Sequence, residues 1–187
     1  GDFRPGCINV IPLFEDKDHM LNAHTVLKKY LSDKQLGYQR VFLARSDPAV
    51  NYGSLSAVLI NKIALQRIHK VSREIGIPIF PIIGAGSAPF RGNFRPETVD
   101  NILRGYPSVQ TFTVQSSFKF DHDPDQVRTA IQKISSHSVS APTDIDEERS
   151  LEIIKRYGAE YRRQLKPLAA AINKVSRAVP RRRKSKV

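Results

Sequence analysis

One cysteine, Cys7, is all that 187 residues carry, so no internal disulfide framework is expected and a reducing, cytoplasmic setting is. Long apolar runs are missing as well. The longest candidate, 56–65, is interrupted by Asn61 and Lys62, whereas crossing a bilayer takes roughly 20 apolar residues; no membrane partner is expected. Residues 1–5 include Asp2 and Arg4 with no apolar block after them, so no secretory signal is read there. A starting methionine is absent too. Gly1 stands in its place, which points to a processed chain or to part of a longer one. No histidine stands at a recognisable spacing from a nucleophile, so no catalytic triad is read. His19, His24 and His69 fall on predicted helices as surface or packing residues, Asp121-His122-Asp123 reads as turn residues before Pro124, and His137 falls in a linker.

What is present is the composition of a globular domain, 40% hydrophobic and 26% charged, long enough for one real core. The net charge of +12 is not spread evenly. Of 30 Lys+Arg and 18 Asp+Glu, 12 and 2 respectively lie in 152–187, which therefore carries +10 and leaves +2 for everything before it. Basicity belongs to the last segment. No aromatic residues interleave its charges from Arg162 onward, so a solvated outer helix or an inter-subunit surface is favoured over a nucleic-acid site.

Apolar runs alternate with amphipathic stretches. Strands are predicted at 8–14, 40–44, 77–83 and 109–114, each short and apolar at nearly every position. Helices are predicted at 19–34, 55–75, 96–104 and 125–135, the second closed by Gly76 and Pro78 and the third opened by Pro96. Residues 1–136 thus read as βα units, 137–145 as a linker or mobile loop, 146–180 as one long basic helix or a broken pair, and 181–187 as a frayed basic tail. Four alternating units imply an α/β fold with a parallel sheet covered on both faces. A doubly wound sheet and part of a (β/α)8 TIM-type barrel both satisfy that pattern.

The polar residues unusual for their context all follow predicted strands: Glu15, then Arg45-Ser46-Asp47, then Gly84-Ala85-Gly86-Ser87 leading to Arg91-Gly92, then Gln115. In parallel α/β folds these ends converge on one ligand-binding face. Glu15 and Asp47 suit Mg²⁺ or Mn²⁺, which takes one or two carboxylates plus waters and substrate oxygens; equally, each can cap the helix that follows. Gly84, Gly86 and Ser87 can cradle an anion or serve a tight turn for steric reasons alone. Arg91 beside Gly92 suits bidentate phosphate or carboxylate recognition. Gln115 either donates to a substrate oxygen or satisfies a backbone group. Arg45, Arg91 and Gln115 are the candidate catalytic side chains.

Four segments in order, Pro12–Glu15, Phe42–Gly53, Gly86–Asn93 and Thr111–Ser116, resemble archaeal-type phosphoenolpyruvate carboxylase. The resemblance implies carboxylation of phosphoenolpyruvate with bicarbonate to oxaloacetate and phosphate, with Glu15 and Asp47 as metal ligands. It also implies Gly84–Gly92 as a phosphoenolpyruvate loop carrying Arg91, with Gln115 on a later active-site strand. Two departures stand out: Ala85 replaces the loop's first arginine, and Val50 replaces a lysine after the metal aspartate. The family's catalytic histidine segment is not found. The chain is therefore expected to be an internal barrel fragment, inactive without the remainder of its parent chain, the whole being a homo-oligomer. The other readings weighed are a different metal-dependent barrel lyase or aldolase acting on phosphoenolpyruvate or pyruvate, and a basic nucleic-acid-binding protein.

Overall fold

A computed structural model describes residues 10–179. Four parallel strands form one sheet: β1 (Leu13–Phe14), β2 (Gln39–Ala44), β3 (Ile79–Gly84) and β4 (Thr111–Phe112). Their spatial order is their chain order, with no reversal. Between and after them come α1 (Lys17–Leu21), α2 (Ala23–Leu31), α3 (Ser46–Tyr52), α4 (Ser54–Ile75), α5 (Val99–Gly105), α6 (Ser116–Phe120), α7 (Pro124–Ser135) and α8 (Glu147–Ser176).

Register separates the two faces of the sheet. Phe14, Leu43, Ile83 and Phe112 lie side by side in one row, all are buried, and all belong to the core cluster with Leu27, Ile60, Ile63, Ile68, Val99 and Ile102 of the helices. The neighbouring row, Leu13, Phe42, Ile82 and Thr111, must point the other way because strand side chains alternate. None of these four belongs to that cluster, and Leu13 is 52% exposed. Ile82 in this row is nevertheless buried. The helices cover one face, as right-handed crossovers running in a single direction require.

The edge strands are much shorter than the apolar runs suggest. β1 and β4 each have one neighbour and pair over two residues, whereas the central β2 and β3 pair over six. The start of the run predicted at 8–14 lies outside the described residues, as does the 181–187 tail. The helix expected over 19–34 is two helices, because Asn22 intervenes: its side-chain amide donates to the Asp18 carbonyl (2.8 Å) and its own carbonyl starts the next turn. α3 is absent from the sequence reading because Pro48 reads as a breaker. Proline sits in the third position of this helix, where its missing N–H has no partner to lose.

α4 and α8 follow expectation. α4 ends at Gly76 in the left-handed region (φ 70°), the usual glycine stop. α8 is one helix that runs through Pro167, opened by Asp146 accepting from the Arg149 N–H. Residues 137–145 hold no helix or strand and run as a strap over α4. Ser140 N–H donates to the Pro107 carbonyl, Lys62 Nζ to Thr143, and Ile145 N–H to Gln66.

Candidate functional site

The C-terminal ends of all four strands open on one side of the sheet, and the sequence-selected residues stand there. Arg45 ends β2 and is 4% exposed. Its N–H donates to the Gly84 carbonyl (3.0 Å), tying the ends of β2 and β3 together. Its guanidinium donates to the Phe90 carbonyl (3.4 Å) and to Ser54 Oγ (3.2 Å). Ser46 Oγ donates to the Arg91 carbonyl (3.4 Å). The end of β2 thus grips the loop after β3 by its backbone at two successive residues. Nearby, burial pushes the Tyr106 phenol up, with the Arg45 charge opposing.

The loop from Gly84 to Arg95 is built as a closed turn. Gly86 N–H donates to the Arg91 carbonyl (2.9 Å) and Phe94 N–H to the Gly86 carbonyl (2.9 Å). Phe94, 1% exposed, then plugs between Phe112 and Phe118 at ring separations of 5.7 and 5.1 Å. Gly86 is needed for space: a Cβ there would stand 2.9 Å from Arg91 Cβ and 3.1 Å from Ser46 Oγ. Gln115 reaches across from beyond β4, its carbonyl accepting the Ser87 N–H (3.3 Å). The N–H groups of Gly86 and Ser87 are therefore already spent, the first inside the loop and the second on Gln115. Ser87 Oγ and Arg91 Nε are buried without a hydrogen-bond partner, whereas the side chains of Arg91 and Gln115 are partly exposed at the strand-end face.

Arg91 Nη2 stands 3.8 Å from Asp47 Oδ1, both groups partly exposed. Asp47 lies in the first turn of α3, whose N-cap position is Arg45 and which has no side-chain cap. Capping is thus not what holds Asp47. Glu15 lies one residue past β1, exposed, and makes no hydrogen bond or ion pair among the described residues. The neighbouring Asp16 is fully engaged. Its Oδ1 accepts the N–H groups of Asp18 (2.9 Å) and His19 (3.3 Å), capping α1, and its Oδ2 accepts the Tyr52 hydroxyl (2.9 Å). The Tyr52 hydrogen bond is the main reason the Asp16 carboxyl is held below its ordinary range; burial, then Asp16, pushes the Tyr52 phenol up. Of the adjacent pair Glu15 and Asp16, Glu15 is the carboxylate left for a ligand. No group of three or more His, Cys, Asp or Glu side chains forms a ready-made metal cage among the described residues.

A profile of the phosphoenolpyruvate carboxylase family matches residues 1–187. The chain belongs to that family. The phosphoenolpyruvate carboxylases of Methanospirillum hungatei and Methanothermobacter thermautotrophicus are each 52% identical to it over 187 residues, and that of Pyrococcus abyssi is 48% identical. Each match covers 100% of this chain and 39% of the relative. The chain thus spans about two fifths of the length of these phosphoenolpyruvate carboxylases.

Within this family member, sequence reasoning missed the residues that support others. Phe94 anchors the loop, Tyr52 holds Asp16, and the fully buried Asn61 on α4 donates to the Ala44 carbonyl (3.1 Å) just before Arg45. Asn61 carried a signal, as a polar residue in the apolar stripe of α4. Tyr52 and Phe94 carried none, since each reads as an ordinary aromatic. The histidines stay outside the site: His122 pairs with Glu97 (2.9 Å), and His24 has its pKa lowered by burial and Arg67.

Proposed function

We propose that this chain supplies the metal- and phosphate-handling part of a phosphoenolpyruvate carboxylase that joins phosphoenolpyruvate and bicarbonate into oxaloacetate and phosphate. The observation that carries the reading is Arg91. Its partly exposed guanidinium is held beside Asp47 by a loop closed on itself and clamped by the residues after β2. A fixed guanidinium with spare donors suits a phosphoryl group. Family membership and the strand-end motifs support the same assignment.

Glu15 and Asp47 fit a Mg²⁺ or Mn²⁺ site by donor chemistry: both are hard oxygen donors, exposed, on adjacent strand ends, and two carboxylates suffice when substrate and water complete the shell. When bound, the ion would supply Lewis-acid stabilisation of oxyanion charge. Arg91 binds the phosphoryl oxygens and the Gln115 amide donates to a second substrate oxygen. Ser87 Oγ adds a hydroxyl donor at the loop's base. Gly84, Gly86 and Gly92 keep the loop tight enough to present these groups. Arg45 acts by holding the loop backbone rather than by meeting substrate.

Residues up to 136 serve in this reading as four consecutive units of a (β/α)8 barrel. Strand order without reversal and helices on one face support that choice over a doubly wound sheet, which needs a switch point and helices on both faces. The open row Leu13, Phe42, Ile82 and Thr111 faces the barrel interior. The 137–145 strap links these units to α8, which leaves the apolar residues Leu168, Ile172 and Val175 exposed. We further infer a homo-oligomer, as apolar surface left on an outer helix favours subunit contact, and a cytoplasmic setting, in keeping with a single cysteine; no described helix is long and apolar enough to cross a membrane.

The test is oxaloacetate formation by the full-length polypeptide, followed through a coupled dehydrogenase with bicarbonate and divalent metal varied independently. Turnover that requires both is expected. Consumption of phosphoenolpyruvate indifferent to bicarbonate would replace the carboxylase reading with that of another barrel lyase or aldolase.

A further inference from the structure

Glu15 and Asp47 arrive at the candidate metal site on separate elements with little to fix their separation. The last register pair between β1 and β2 is Phe14 with Leu43, so Glu15 lies beyond the ladder. Asp47 lies beyond the end of β2, in the first turn of the seven-residue helix α3. Tyr52 joins these two segments. Tyr52, the last residue of α3, donates its hydroxyl to Asp16, the residue after Glu15, at 2.9 Å. The other oxygen of the same carboxylate caps α1, so Asp16 holds the β1–α1 turn in shape while Tyr52 ties it to the helix bearing Asp47.

The far end of α3 is itself braced. Tyr161 of α8 donates to the Val50 carbonyl (3.0 Å). Gly53, at φ 87°, leaves no room for a Cβ because Tyr157 would lie 2.5 Å away. Tyr52 is part-buried against the core cluster. The Tyr52 hydroxyl is therefore presented to Asp16 by a helix fixed from behind.

We propose that Tyr52 and Asp16 form a positioning pair that sets Glu15 against Asp47 before the metal arrives. The inference rests on the metal reading above. Neither residue meets the ion: both Asp16 oxygens are already engaged, and Tyr52 reaches the site only through Asp16. Supporting hydrogen bonds one step removed from a metal commonly alter affinity by about 10- to 100-fold, and the bond here does so by limiting the arrangements of two carboxylates that no ladder restrains.

The experiment measures Mn²⁺ affinity of the full-length polypeptide by electron paramagnetic resonance of the unbound ion. Wild type is compared with Tyr52→Phe, Asp16→Ser, the double variant and Asp47→Asn. Tyr52→Phe keeps the ring and its packing; Asp16→Ser keeps a capping oxygen for α1 and loses the second oxygen that meets Tyr52. Each is expected to weaken Mn²⁺ binding about 10-fold without removing the cooperative thermal transition. The double variant is expected to be no weaker than Asp16→Ser alone, which also loses a negative charge beside Glu15, since both substitutions remove the same bond. Merely structural damage would instead accumulate. If Tyr52→Phe binds Mn²⁺ within about twofold of wild type while Asp47→Asn loses it, the positioning pair is overturned and the metal site stands. If Asp47→Asn binds Mn²⁺ normally, the metal site itself is overturned, and the pair with it.

Discussion

The face at the strand ends and the outer half of α8 are both charged, yet their charges are used in opposite ways. At the strand ends Arg45, Ser46, Arg91, Asp16 and Gln115 each engage a group on a different element, so the polar contacts knit β2, α3 and three loops together. On α8, Arg162, Lys166 and Lys174 are exposed and have no partner among the described residues. The one marked electrostatic effect there is local: Arg163 and Gln164 hold the exposed Glu160 down to about 2. Basic charge thus accumulates on the outer half of α8, where least is built among the described residues. Charge density locates solvated surface; charges that bridge elements locate a site.

Substitutions at the strand ends and on α8 separate the two uses of charge. Arg91→Gln in the full-length polypeptide removes the proposed phosphoryl contact and should cut kcat/KM for phosphoenolpyruvate by about 10²–10³-fold, read from initial rates. Loss of a few-fold would mean the loop does not meet the substrate. A smaller effect belongs to the root of α8, where Arg67 grips Glu147 through two hydrogen bonds, of 2.5 and 3.2 Å, with both side chains partly exposed. Glu147→Gln should cost about 1 kcal/mol or less in chemical denaturation. Its pH dependence has a definite sign. The Arg67 hydrogen bond lowers the folded pKa of Glu147, so this stabilisation is fully present above the ordinary glutamate range and is lost as pH falls through the depressed value. The gap between wild type and variant should therefore be flat near neutral pH and close in acid. Smallest of all, changing Arg162, Lys166 and Lys174 together to Gln should leave turnover within about twofold, since exposed, unpaired charges contribute little. A large loss, or loss of salt-sensitive RNA binding, would give the basic helix a role the account denies it.

The α/β class, the four strands and the position of Glu15, Asp47 and Gln115 just past strand ends were legible because apolar runs and the polar residues after them are local patterns. α3 was not, because a helix with proline in its first turn looks like a loop until its capping partners are known. Strand lengths at the edges were not, because they depend on how many neighbours a strand has. The roles of Arg45 and Asp16 were hidden for the same reason. A charged residue in a motif reads as chemistry, and only its distance to Phe90 or Tyr52 shows that it holds something else in place. The faces of the sheet became distinct only through register, which no single segment carries.

The most direct test of the central claim is Asp47→Asn in the full-length polypeptide, assayed for bicarbonate-dependent oxaloacetate formation at saturating Mg²⁺ or Mn²⁺. The replacement keeps size and hydrogen bonding and removes the charge a divalent ion needs. The account predicts a fall of about 10³-fold with the thermal transition retained. A rate near that of the wild type would contradict it, and would mean that the strand-end face of this chain does not hold the metal.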